Sequence, residues 1–254
     1  MKLLDISSAT IFCYFVIFCR ISSSLFLIPG IGEINISSRI KLTLGLAITI
    51  MIGGLQKNSI PSPANSIEMF LVIVSEITIG IALGMIAKII LSAAYTAGHA
   101  ISSNMGLSTA MVFDPNHGDQ GTIIGTLLGM IAVIIIINLN LHILIIESLI
   151  ESYETLPIGS FFKYSESFTE LIIKTVVTSW NVGIRFASPF IIISLLTYLS
   201  AGVLSRLMPQ LQIFFLLLPA QVLVGFIVLM IFISSAMIWF TDEYKNFIGQ
   251  LVSS

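Results

Sequence analysis

Charge is what this 254-residue sequence has least of: Lys, Arg, Asp and Glu together make up 9% of it, against 56% hydrophobic residues. A soluble domain is about a quarter charged, because a surface facing water needs ionic groups. The shortage excludes a globule wetted on all sides and leaves lipid or protein partners to face much of the surface. Mean hydropathy is +1.05. A net charge of -2 excludes the basic face that nucleic acid requires, so no nucleic-acid partner is expected.

Cysteine is equally scarce. Cys13 and Cys19 lie in one apolar stretch, and on a helix that offset puts them on separate faces. An internal disulfide is therefore not expected, and both read as small apolar packing residues. The three histidines, His99, His117 and His142, are too scattered for a metal site. There is no His-Glu-x-x-His, no Gly-x-x-x-x-Gly-Lys and no Gly-x-Ser-x-Gly. The chain is not read as an enzyme, and no cofactor or metal is expected. A cleavable leader is not expected either: Lys2 is followed by Asp5, and no Ala-x-Ala site follows the first apolar run.

What the sequence has instead is long apolar runs. A spanning helix needs about 20 apolar residues, and roughly six segments qualify as candidates: 11–28, 40–55, 67–94, 123–146, 168–199 and 211–240. Lipid offers no partner to exposed backbone, so spans are helices or closed barrels, and these segments lack the alternation of barrel strands. The expected class is an all-α integral membrane protein, one domain over residues 1–254. A polar stretch from His99 to Gly121 and an acidic loop carrying Glu147, Glu151, Glu154 and Glu166 are expected between segments.

Several segments are damaged. Arg20 and Ser22-Ser23-Ser24 interrupt the first, the second is short, and Pro189 and Pro219 fall inside the last two, where Pro219 is expected to kink the helix. Alternating spans would collect Lys2, Lys57, Lys163 and Lys245 on one side and Arg39, Lys41, Lys88 and Arg206 on the other. That is no asymmetry, so the positive-inside rule assigns no orientation. Irregular backbone at membrane depth survives only when buried in protein or lining a cavity, which suggests a subunit packed in a larger assembly or lining a conduit.

Within the third segment, Glu76, Gly80, Leu83, Gly84 and Ala87 fall on one helical face. Gly80 and Gly84 form a small-xxx-small pair that lets a neighbouring backbone approach closely. Glu76 thus points at the same neighbour, as a packing hydrogen-bond partner or as a proton relay. Lys88 lies about a third of a turn away and is not its obvious partner. Gly125 and Gly129 repeat the small-residue pattern in the fourth segment. Arg20 and Arg185 are costly at membrane depth unless paired with an acid, bonded to carbonyls, or snorkelling. The stretch from Thr96 to Pro115, flecked with methionine and Phe113, is either a plain connection or an adaptable apolar closure.

Taken in order, these motifs resemble the FliR family of flagellar export-gate subunits. The matching elements are Arg20 with Pro29, Arg39-Ile40-Lys41-Leu42, Glu76 to Gly84, Thr96-Ala97-Gly98, Met105-Gly106-Leu107-Ser108 and Asp114-Pro115. Asn140-Leu141-His142, Leu156-Pro157-Ile158-Gly159-Ser160, Ala187 with Pro189, Arg206 to Phe214, Pro219 and Gly225 follow. Two departures stand out: Leu141 where family members often have glycine, and Thr109 where they carry an aromatic residue.

The resemblance implies an all-α fold of bent hairpins in a helical export-gate assembly, at the bacterial inner membrane in the flagellar basal body. It implies FliP-like and FliQ-like partners, with FlhB-like and FlhA-like proteins nearby, lipid around them, and unfolded flagellar proteins as substrates. It also implies a channel plug made by Met105, Gly106, Leu107, Ser108, Asp114 and Pro115, with Phe113 beside them; the helix-packing interface of Glu76, Gly80 and Gly84 is expected from helical spacing itself. The alternatives are the homologous subunit of a virulence injectisome, a secondary transporter and a purely structural anchor.

Overall fold

The computed structural model describes residues 8–32, 36–54, 65–107, 122–159, 161–210 and 213–253. Seven helices account for nearly all of these: α1 (Ser8–Leu25), α2 (Ser38–Gly53), α3 (Ser66–Asn104), α4 (Ile123–Asn138), α5 (Leu141–Thr155), α6 (Phe161–Leu207) and α7 (Ile213–Ser253). The class read from composition is the class observed.

Among the described residues, three stretches are long and apolar enough to cross a membrane: Ser66–Asn104, Phe168–Leu207 and Leu217–Gly249. A fourth is possible only as a broken pair, since α4 and α5 are bent by 72° at their junction. Several threonine hydroxyls inside the helices are satisfied by the turn behind them. Thr49, Thr78, Thr96, Thr175, Thr197 and Thr241 each donate to the carbonyl four residues earlier. Back-bonding of this kind lets polar residues sit in apolar helices without an orphaned donor.

Four expectations need correcting. The segment expected over 123–146 is two helices, because Asn140 adopts φ 57°, a left-handed conformation that asparagine tolerates better than most residues. The polar stretch expected to begin at His99 is helical as far as Asn104. Its Asn104 side-chain amide bonds within the helix, Nδ2 donating to the Ala100 carbonyl. Glu147, Glu151 and Glu154 stand on α5 rather than in a loop, and Glu166 lies in α6. Arg20 and the serine triplet do not break α1, which ends at Leu25, just before Pro29 and Gly30.

The chain divides into two compact units. The first comprises Met1–Ile90, Ile136–Val176 and Lys245–Ser254. Its core includes Val16, Ile17, Ile21 and Leu25 of α1, Ile79, Ile86 and Ala87 of α3, and Leu141, Ile145 and Leu149 of α5, all buried. Here α1 and α2 pack closely, and a Cβ on Gly45 would come within 2.8 Å of Ser22 Oγ. The second unit comprises Leu91–Ile135 and Val177–Tyr244. In it Gly98 of α3 lies against the backbone of Gly125 of α4, and Gly129 lies against the Tyr95 ring.

Candidate functional site

The first unit contains a fully buried ion pair. Arg20 of α1 and Glu76 of α3 are both 0% exposed. Two buried, opposite charges remain stable only when every donor and acceptor is met, and here they are. Arg20 Nε donates to Glu76 Oε2 at 2.6 Å and Nη2 to Glu76 Oε1 at 3.1 Å, the fork geometry that guanidinium and carboxylate share. Nη1 reaches the Ser152 carbonyl at 3.3 Å and its hydroxyl at 3.2 Å. Nη2 also reaches the Leu156 carbonyl at 3.0 Å. The Tyr153 ring covers the guanidinium, 4.1 Å from its centroid, and Tyr153 Oη donates to the Ile17 carbonyl.

Glu76 has a further donor. The Gly159 N–H bonds Oε1 at 3.1 Å, from a residue held at φ 79°. The turn Leu156-Pro157-Ile158-Gly159 is therefore fastened at both ends: a carbonyl on Arg20 and an amide on Glu76. The pair joins α1, α3, α5 and this turn through one cluster of charge-assisted bonds.

The glycines beside Glu76 face the same helix. A Cβ on Gly80 would collide with the Arg20 carbonyl and Ser23 Oγ, and one on Gly84 would sit 2.7 Å from the Ser24 carbonyl. So the neighbour of the Glu76, Gly80 and Gly84 face is α1 of the same chain. Lys88 is exposed on α3 and Arg185 on α6.

The second unit holds the other group of interest, the end of α3. Gln221 of α7 donates to the Asn104 carbonyl, and Ser194 of α6 donates to Asn104 Oδ1 at 2.6 Å. Met105 is buried, and its side chain fills the space that a Cβ on Gly225 would need. Gly106 then takes φ 76°, turning the chain out of the helix axis. Met105, Gly106 and Leu107 are thus placed, whereas Ser108, Phe113, Asp114 and Pro115 lie outside the described residues.

His99 lines an open groove of about 410 Å³ with Tyr95, Thr122 and Trp180, and among the described residues no carboxylate or thiol shares that wall. No group of three or more His, Cys, Asp or Glu that could hold a metal occurs among the described residues.

Sequence reasoning missed the partners. Arg20 was legible as a residue in need of an acid, and Glu76 as an acid at depth, but 56 residues separate them. Ser152, Tyr153, Gly159 and Gln221 carried no local signal, apart from the position of Gly159 in a Leu-Pro-Ile-Gly turn sequence.

Residues 11–247 match the family described as bacterial export proteins, family 1. The flagellar biosynthetic protein FliR of Caulobacter vibrioides is 30% identical over 232 residues, covering 91% of this chain and 92% of its own. The protein of the same name from Escherichia coli K12 is 32% identical over 218 residues, 84% of this chain and 80% of its own. That of Bacillus subtilis 168 is 28% identical over 225 residues, 87% and 86% respectively.

Proposed function

The chain belongs to the bacterial export proteins of family 1, and from that premise we propose that it is a pore-forming subunit of the flagellar protein-export apparatus. It passes unfolded flagellar proteins across the inner membrane, acting as one domain over residues 1–254. The observation that carries this reading is the likeness to flagellar FliR proteins along nearly the whole chain. Its working partners are FliP-like and FliQ-like gate subunits, with FlhB-like and FlhA-like proteins beside them. The energy comes from elsewhere in the machine, since the sequence has no nucleotide-binding loop.

Closure is assigned to the segment that leaves α3. Met105, Gly106, Leu107, Ser108, Phe113, Asp114 and Pro115 form the plug, a stretch of small, methionine-bearing and aromatic residues that adapts to what it seals. The geometry of its root supports this reading. Asn104 is held by Gln221 and Ser194, Met105 is wedged beside Gly225, and Gly106 redirects the chain. A plug needs such a fixed point of departure. Glu76, Gly80 and Gly84 serve as a helix-packing interface, with α1 of the same chain against them.

Two measurements test the proposal. Deleting residues 106–110 raises ion leakage through the assembled gate; unchanged conductance sinks the plug. A tagged chain brings down FliP-like and FliQ-like subunits; recovery as a stable monomer sinks the export-gate reading itself.

A further inference from the structure

We propose that α1 is a conditional helix: it is seated by docking on α3 and α5 rather than by entering the membrane alone, and Arg20 with Glu76 is its lock. Length comes first. The apolar part of α1, Thr10–Leu25, is a short helix, below the roughly 20 residues that a hydrocarbon core requires. It also carries Arg20 and three serines. An unpaired arginine in lipid is strongly disfavoured, so α1 by itself has no stable place in a bilayer.

Docked, it has one. Among the described residues, every acceptor of the Arg20 guanidinium lies outside α1: Glu76, Ser152 and Leu156, which follow it by 56, 132 and 136 residues. The lock is therefore incomplete until α3, α5 and the Leu156–Gly159 turn are all present. The surfaces match the chemistry, because Gly80 and Gly84 bring the α3 backbone against Arg20, Ser23 and Ser24 of α1. The apolar side of α1, with Cys13, Val16, Ile17 and Ile21, is buried in the same step.

The lock also has a polarity. Position 20 must donate, because the Ser152 and Leu156 carbonyls accept from it. Position 76 must accept, because the Gly159 N–H donates to it. An isolated ion pair can be exchanged end for end. This one cannot, since a carboxylate at 20 would face two carbonyl oxygens and a cation at 76 would face an amide hydrogen.

The test uses the full chain in lipid membranes, in a Cys19→Ala background. Cys13, 5% exposed, then reports docking through its reaction with a water-soluble maleimide. Glu76→Gln and Arg20→Gln each raise the labelling rate by about tenfold or more, as local opening would, while α6 and α7 keep their protease protection. The exchanged double variant, Arg20→Glu with Glu76→Arg, labels as fast as the single variants. Arg20→Lys, which keeps the charge but loses the fork, falls between them. The proposal is overturned by a Cys13 that stays shielded in Glu76→Gln or by an exchanged variant that regains shielding. Loss of α6 and α7 protection together with that of Cys13 also overturns it, because the pair would then hold the whole fold rather than one helix.

Discussion

Gln221 donates its side-chain N–H to the carbonyl of Asn104, the residue at which α3 ends. The last carbonyls of a helix have no partner of their own, and in an apolar bundle water is not at hand to supply one. Gln221 is therefore an end-cap delivered from another helix. Replacing it with leucine removes the donor and keeps the bulk. Gln221→Leu costs about 1–3 kcal/mol, the price of an unmet buried acceptor, and the check is the unfolding midpoint of the purified protein in detergent.

Gly98 and Gly125 set the separation of α3 and α4 in the second unit. A Cβ on Gly98 would lie 2.7 Å from the Gly125 nitrogen, and a backbone atom cannot step aside as a side-chain tip can. Gly98→Val is destabilising by at least the roughly 1–3 kcal/mol of ordinary overpacking. Thermal unfolding of the purified variant measures this, and an unchanged midpoint would mean that the two helices do not cross there.

On α3, Gly84→Leu places bulk 2.7 Å from the Ser24 carbonyl and 3.2 Å from its Cα. α1 is displaced, and the assembled complex is expected to lose subunits. Normal stoichiometry in the purified complex would mean that the seating of α1 on this face is not required for assembly. Gly202, in the interior of α6, is the contrasting position: a Cβ there meets nothing within 4 Å. Gly202→Ala stabilises by about 0.4–1 kcal/mol, because the unfolded chain loses freedom and the folded one loses nothing.

Gly159 is constrained by conformation rather than by space. At φ 79° with its nearest neighbour, Val72 Cγ2, 3.4 Å from a built Cβ, an alanine fits sterically but pays about 1–2 kcal/mol for left-handed backbone. Gly159→Asn recovers part of that loss. If alanine and asparagine destabilise equally in the same unfolding assay, packing rather than φ is the constraint.

The sequence made the class of fold visible because scarcity of charge is a property of the whole chain, and no local detail can reverse it. Helix ends were harder. The break at Asn140 depends on one residue adopting a left-handed φ, and the extension of α3 to Asn104 carries Gly98 through a helix interior where it would ordinarily weaken the helix. What offsets that cost is a second glycine on another helix. The face with Glu76, Gly80 and Gly84 was legible from helical spacing alone. Its neighbour was not, since no spacing rule links residue 76 to residue 20, or either to an amide at 159.

Arg20 and Glu76 also have a consequence for a protein working in an energised membrane. A lone elementary charge carried across the full membrane potential exchanges about 2.3 kcal/mol with it per 100 mV. With donor and acceptor atoms 2.6 Å apart, the pair presents the field with zero net charge and only a short dipole. Any rearrangement that carries both residues together thus draws almost no electrical work at this point, and voltage gains no handle on the first unit through its most polar contact.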